Sequence, residues 1–482
     1  MQAVSEFLLP IVQKINAYLS DYILIFLLVG VGVFYTIRTR FVQVRCFGEG
    51  MKKVFGGLSL RGGKQKGGLS SFQALATAIA AQVGTGNIVG ACGAILIGGP
   101  GAIFWMWIIA FFGMATIYAE ATLAQETKIV REDGSVLGGP VYYIRRAFKG
   151  RFGKALAGFF AVAITLALGF MGSMVQSNSI SEAISTASTG YIPTWVIGLV
   201  LAAVCAFIFL GGVQRIASVA EKIVPIMAVI YLSLGLVILG INFTSIPATF
   251  GMIFKYAFVP QALIGGAFGA AIKAAISQGA KRGLFSNEAG MGSTPHAHAQ
   301  AKVEKPHDQG VVAMIGVFID TFVVLTITAL VVISTLYANG PLGTAEGLAA
   351  TEITKANLMQ TAVGTAFGNR LFGNITIAVC LTFFAFTTII SWNFFGKQNV
   401  QYMFGKKQKV ATAIYSVLAI AFIILGSMFP NDLVWELTDM FNNLMVIPNV
   451  LALFALSGIV VAAVKLGKKK KAKKNADKVD AE

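Results

Sequence analysis

Apolar residues along this chain come in runs of about twenty, parted by short polar clusters. As helices, runs of that length cross a hydrocarbon core about 30 Å thick. Eleven can be drawn, at about 21–37, 70–98, 101–127, 155–188, 192–211, 218–242, 254–280, 309–337, 369–395, 410–428 and 435–465. Met1 to Ser20 predict an amphipathic helix lying at the interface, without the basic start of a cleavable signal. The second run is interrupted by Gly84-Thr85-Gly86-Asn87, with Gln73 and Gln82 nearby. Glycine costs about 1 kcal/mol against alanine inside a helix. Freed backbone groups at membrane depth are tolerated only where protein or a polar cavity satisfies them. A half-helix starting near Asn87 points N–H groups at an anion, and carbonyls ending the preceding half face a cation. That pairing suits a carboxylate and a sodium ion. Glycines alone also mark close helix contacts, but Asn87 and Gln82 add polar groups and favour a site.

A second interruption, Gly265-Gly266-Ala267-Phe268-Gly269, falls in the seventh run. Runs two and seven each open a group of five, and because five is odd the second group enters the membrane inverted. Matching breaks in two halves point to an inverted-repeat transporter with a midplane site. The expected fold is therefore all-α and polytopic, about eleven transmembrane helices with a 5+5 inverted repeat and one extra N-terminal helix. The divisions are 1–66 (interfacial helix, first span and basic connector), 67–250 (first repeat), 251–466 (second repeat) and 467–482 (basic tail).

Composition narrows the class. Of 482 residues 56% are hydrophobic and 12% charged, against about 25% charged in soluble domains. The net charge of +17 lies in loop clusters suited to anionic lipid headgroups, so nucleic acid is excluded as a partner. The first connector carries Arg38, Arg40, Arg45, Lys52, Lys53, Arg61, Lys64 and Lys66 against a single acid, Glu49. Placing it inside puts the N-terminus outside, and eleven crossings put the Lys-rich tail in the cytoplasm. The same count places Lys281, Arg282 and Lys302 inside. Cys46, Cys92, Cys205 and Cys380 have no close spacing, so neither a disulfide framework nor a metal site follows.

Enzymatic chemistry finds little support. Gly84-x-Gly86-x-x-x-Gly90 has the wrong spacing for a dinucleotide fingerprint. His296 and His298 lack a third ligand at zinc spacing and fall in a polar stretch expected to be a solvated or interfacial loop. Glu120 and Asp320 sit in apolar runs. Such acids either serve a proton or cation pathway, or they cap helices or pair with loop arginines. Gln176 and Asn178 interrupt another apolar face, for helix–helix hydrogen bonding or for substrate. Phe384, Thr387 and Thr388 stand at i, i+3 and i+4 and share a face. One carbonyl and two hydroxyls there suit a hard cation such as sodium; back-bonding of the hydroxyls within their own helix is the alternative. Trp392, one turn on, is either a pocket wall or an interfacial anchor.

Several long stretches carry a resemblance: VGTGNIVG (83–90), GGPGAIFWMWIIAFFGMATIYAEA (98–121), GGPVYYI (138–144), KRGLFSNEAGMGSTPHAHA (281–299), GVFIDT (316–321) and FAFTTIISW (384–392). Across nearly the whole chain the sequence resembles the alanine/glycine:cation symporter family, within the group sharing the leucine-transporter-like fold. The resemblance implies that amides of Thr85 and Gly86 receive the substrate carboxylate, with Asn87 nearby. It implies that carbonyls of Ala80 and Val83 join Phe384, Thr387 and Thr388 around sodium, the coupling ion. Gln176 then faces the substrate, and Phe268 and Trp392 close a pocket little larger than a methyl side chain needs. The expected protein is a secondary transporter of the bacterial inner membrane that imports alanine or glycine by sodium symport, with lipid around it. Oligomeric state is left open, a monomer included. A proton-coupled carrier using Glu120 or Asp320 is the first rival, and a channel or binding-only sensor the second.

Overall fold

The computed structural model describes residues 2–56, 69–259, 268–338, 340–343 and 353–467. It is 85% helical, and among the described residues the β-strands form one small hairpin, Ile129–Val130 antiparallel to Val136–Leu137. Among the described residues six helical stretches are long and apolar enough to cross a membrane: Ala102–Thr127, Gly150–Ala187, Gly212–Ile241, Pro306–Tyr337, Arg370–Gly426 and Asn431–Ala455. The bent pair Ser71–Gln82 and Gly86–Gly98 supplies a seventh. Ile25–Arg38, Thr194–Phe209 and Ser457–Gly467 are shorter apolar helices. Arg370–Gly426 is two helices in fact, Arg370–Phe404 and Gln408–Gly426, parted where Gly405 takes φ +47°. The N-terminal helix is present as Gln2–Tyr18, with Phe7 and Tyr18 exposed and Asn16 donating to the carbonyl and carboxylate of Glu436.

The seventh predicted run is where sequence and structure part. Two helices, Ile246–Phe258 and Phe268–Asn287, stand where one span over 254–280 was expected. Gly265, Gly266 and Ala267 lie outside the described residues. The break that the structure does resolve follows Asn287. There Glu288, Gly290 and Gly292 have φ of +58°, +94° and +80°, and a short helix resumes at Pro295–Ala299. Glycine reaches this left-handed region without steric cost, and a non-glycine residue there needs its surroundings to hold it. Lys281 and Arg282, expected in a cytoplasmic loop, lie within Phe268–Asn287. Arg282 is buried, pairs with Asp439 at 2.9 Å and stacks over Trp435. A charge with such partners is compatible with a helix interior, which local hydropathy cannot register.

Ala102–Thr127 is the axis of the bundle. Ile25–Arg38, Phe268–Asn287 and Pro306–Val317 all pack on it. Close approach rests on small residues. A Cβ on Gly32 would stand 2.7 Å from the Phe112 Cβ, and one on Gly310 would stand 2.8 Å from the Tyr118 ring. Overpacking at such a crossing costs about 1–3 kcal/mol or more. Gly32→Val is therefore expected to lower the unfolding temperature of the detergent-solubilised protein by several degrees, measured by thermal unfolding; Gly30→Ala, with open space around its Cα, should not.

Candidate functional site

The first broken helix opens on a capping box in which the Ser70 hydroxyl accepts from the Gln73 amide and Gln73 reaches back to Ser70. It ends where Val83 turns to ψ 84°, and the two halves meet at 47°. The break is held from within, because the Asn87 side-chain oxygen accepts from the Gly84 amide at 3.1 Å. From outside, the Gln176 side-chain oxygen accepts from the Thr85 amide at 3.1 Å. Thr85, Gly86, Asn87 and Gln176 are thus gathered at one buried place, and Trp392 is buried too.

The second break, 288–294, lies against the first. A Cβ on Gly86 would stand 3.0 Å from the Ser286 Cα and 3.1 Å from the Phe285 ring. Gln82 donates to the Asn287 carbonyl at 2.7 Å. Asp320 joins the two breaks. Its carboxylate accepts from Asn87 Nδ2 at 2.7 Å, from the Ser286 hydroxyl at 2.9 Å and from the Thr321 hydroxyl at 2.8 Å. Glu288 accepts from the Trp392 indole at 2.5 Å and from the Ser293 hydroxyl. Trp392 is therefore an internal wall, its ring against Gly172 and edge-on to Phe285 at 5.8 Å, and no interfacial anchor.

Phe268 is not brought into this cluster along the backbone. It is the first residue of the helix whose last turn holds Phe285 and Ser286, about 25 Å away along that helix at 1.5 Å per residue. Phe285, packed on both Trp392 and Trp435, is the aromatic at the break. Sequence reading passed over it because Lys281 and Arg282 gave the region a loop-like polarity. The signal was nevertheless present: Ser286-Asn287-Glu288-Ala289-Gly290-Met291-Gly292 pairs two glycines with polar neighbours, as Gly84-Thr85-Gly86-Asn87 does.

Ala80, Phe384, Thr387 and Thr388 converge beside the first break. The Thr388 hydroxyl donates to the Ala80 carbonyl at 2.9 Å and lies 3.1 Å from the Phe384 carbonyl. The Thr387 hydroxyl donates to that same Phe384 carbonyl at 2.9 Å. Val83 is buried at the end of the first half-helix. Gly84 is what lets the two helices close here, since a Cβ on it would run into the Thr388 hydroxyl. The hydroxyls back-bond within their own helix, and that of Thr388 also bridges to the neighbouring half-helix. The donor set is all oxygen and fits a hard cation.

Glu120 does not pair with loop arginines. Its two oxygens accept from the Gly290 and Gly292 amides at 3.0 and 2.9 Å and from Asn449 Nδ2 at 2.6 Å. Asn178 bridges helices, donating to the Gly426 and Phe429 carbonyls at 3.0 Å. His296 and His298 are buried, contrary to the solvated loop expected of them. The His296 ring stacks on Phe395 and contacts the Ser293 carbonyl and Asn399, and His298 contacts Gln309. These partners exist only once the second break has folded back.

Both ends of the site are closed by polar contacts. At one end Leu69 forms a parallel bridge with Ala301, Ser71 donates to Gln309 and Gln73 donates to Glu221. Near it lies a cavity of about 510 Å³ whose lining includes Arg131, Lys397, Gln398 and Gln401. Toward the other end stand Arg282–Asp439 and Lys355–Asp432, with both cations over Trp435.

Two facing breaks in a helical bundle are the arrangement of the leucine-transporter-like fold. A crystal structure of MhsT in complex with L-phenylalanine shares that fold at TM-score 0.57 and 14% identity, covering 83% of this chain and 98% of that one. The chain belongs to the sodium:alanine symporter family, which it matches over residues 5–481. It is 39% identical over 460 residues to the sodium/alanine symporter AgcS of Methanococcus maripaludis, covering 94% of this chain and 96% of AgcS. It is 38% identical over 465 residues to GlnT of Bacillus subtilis, described as a probable sodium/glutamine symporter, covering 96% and 91%.

A buried amide that loses its acceptor costs about 1–3 kcal/mol, more when the acceptor was charged. Glu120→Ala strands two amides, so it is expected to lower the unfolding temperature by more than Glu120→Gln, which keeps one acceptor. Unfolding of Glu120→Ala at the wild-type temperature would show that the carboxylate does not hold the second break.

Proposed function

We propose that this chain imports a small neutral amino acid, alanine or glycine, together with sodium across the bacterial inner membrane. Alternating access turns about a midplane site between the two broken helices. The assignment takes eleven spanning helices, an outside N-terminus and a cytoplasmic C-terminus, with five-helix repeats related by inversion. Ile25–Arg38, Thr194–Phe209 and the polar Phe268–Asn287 helix complete the count beyond the spans long enough to qualify alone, with Ser457–Gly467 continuing the last span.

The observation that carries the reading is the meeting of Thr388 with Ala80 at 2.9 Å beside the opened backbone at Gly84. Sodium is held there by the carbonyls of Ala80, Val83 and Phe384 and the hydroxyls of Thr387 and Thr388. It pins the first broken helix to Arg370–Phe404 and sets the break for substrate. The substrate carboxylate is received by the Thr85 and Gly86 amides, which requires the Gln176 oxygen to give up the Thr85 amide. Asn87 lies alongside, and Trp392 and Phe285 bound the side chain. Release toward the cytoplasm parts the Leu69, Ser71 and Gln73 contacts and opens onto the cavity containing Arg131 and Lys397; loading parts Arg282 from Asp439. Coupling is reciprocal, so the substrate raises sodium affinity by the factor that sodium raises substrate affinity.

A second reading, proton coupling, is favoured by Asp320, whose carboxylate touches both breaks through Asn87 and Ser286. Labelled alanine uptake into proteoliposomes separates the two. Uphill accumulation is expected with an inward sodium gradient and not with an equal potassium gradient, with loss of at least about tenfold in Thr388→Ala. Equal uptake in both salts would remove sodium coupling and direct attention to Asp320→Asn under a pH gradient. Competition by unlabelled alanine, glycine and glutamine ranks the substrates.

Gly84→Ala gives an independent check. Its Cβ displaces the Thr388 hydroxyl, so half-saturation by sodium is expected to rise about tenfold or more, corresponding to about 1.4 kcal/mol. An unchanged sodium dependence would place the ion elsewhere.

A further inference from the structure

We propose that Cys46, Glu49 and His307 form a binding site for a divalent transition-metal ion of the zinc type, separate from the transport site. The sequence separates Glu49 and His307 by six predicted spans, so no ligand spacing joined them. The fold does. Cys46 lies in the turn between the helices Val42–Arg45 and Phe47–Phe55, and Glu49 follows three residues on. His307 is the second residue of Pro306–Val317. The three ligand atoms lie within 4.8 Å of one another, and among the described residues no other His, Cys, Asp and Glu side chains gather in a comparable group of three.

The histidine is already arranged as a ligand. Its Nδ1 is engaged by the Tyr118 hydroxyl at 2.7 Å, which fixes the ring. Its Nε2 is buried without a hydrogen-bond partner and stands 3.4 Å from the Glu49 carboxylate. An outer partner on one imidazole nitrogen with the other aimed at sulfur and oxygen is the usual form of a metal-ligating histidine. Thiolate, imidazole and carboxylate together suit zinc, whereas sodium, magnesium and calcium prefer oxygen alone. With bonds of about 2.0–2.3 Å, a tetrahedral ion sets its donors about 3.3–3.8 Å apart. The histidine–glutamate pair already has that separation, and the widest gap closes by side-chain rotation.

The frame around the site is tight. A Cβ on Gly50 would stand 2.6 Å from the Val311 carbonyl, so Phe47–Phe55 lies directly on Pro306–Val317. Lys53 and Asp308 pair beside it at 3.0 Å. A bound ion would clamp the connector after the first apolar helix to the start of the stretch that carries Asp320, thirteen residues on and about 20 Å distant.

The test uses the purified full-length protein, stripped with a chelator and titrated with Zn²⁺ and with Co²⁺. One ion per chain is expected, with a thiolate-to-cobalt charge-transfer band and no competition from Mg²⁺. Cys46→Ser should abolish that band, and Cys46→Ser and His307→Gln should each weaken Zn²⁺ binding at least about tenfold. Tyr118→Phe removes only the outer contact and should cost about tenfold while keeping the band. Glu49→Gln changes a side chain 23% exposed and keeps the test open if a buried variant fails to fold; it should also weaken Zn²⁺ binding about tenfold with the band retained. Absence of the band in the wild-type protein, or Zn²⁺ binding unchanged in Glu49→Gln, would overturn the assignment. Neither outcome bears on alanine uptake.

Discussion

The Glu120 carboxylate is the contact on which the arrangement of the site depends. In hydrocarbon an opened helix must find new partners for every exposed amide. Glu120 supplies them for Gly290 and Gly292, and Asn449 completes the contact by donating to Glu120 and to the Gly290 carbonyl. With that loop fixed, Glu288 meets Trp392, Ser286 meets Asp320, and Phe285 lies against Gly86. A buried carboxylate without such donors would be costly. Here the charge and the broken backbone satisfy each other, so neither feature is stable without its partner.

The first break was legible because its signal is local. Two glycines beside a polar Asn87, inside an apolar run, speak for themselves. Thr387 and Thr388 were legible for the same reason, as a face on one helix. The second break was hidden because what stabilises it is remote. Arg282 reads as a loop residue until Asp439 and Trp435 stand beside it, and neither is near it in sequence. His296 reads as solvated until Phe395 and Asn399 cover it. Phe268 was placed at a glycine-rich stretch that satisfied the pattern, while Phe285, the aromatic packed against Gly86 and Trp392, lay among charges that the pattern excluded. Hydropathy sees composition along the chain and is blind to ion pairs formed across it.

The same reasoning separates the roles of the intramembrane acids, which look alike in the sequence. Glu120 is bound to backbone amides and acts as scaffold. Asp320 is bound only by side chains, from Asn87, Ser286 and Thr321, on three different stretches of chain. Side-chain donors can rotate away as helices shift, whereas amides in a fixed loop cannot. Glu288, held by the Trp392 indole and the Ser293 hydroxyl, shares this property with Asp320 and not with Glu120.

The Trp392–Glu288 hydrogen bond ties the wall of the pocket to the backbone of the second break. A side chain larger than the pocket would push the indole outward and pull on Glu288, which sits at positive φ with little slack. Bulk in the ligand would thereby be felt as strain in the hinge. Discrimination by size would then fall on the turnover step more than on occupancy. An oversized amino acid could lodge in the site and still leave the carrier unable to turn.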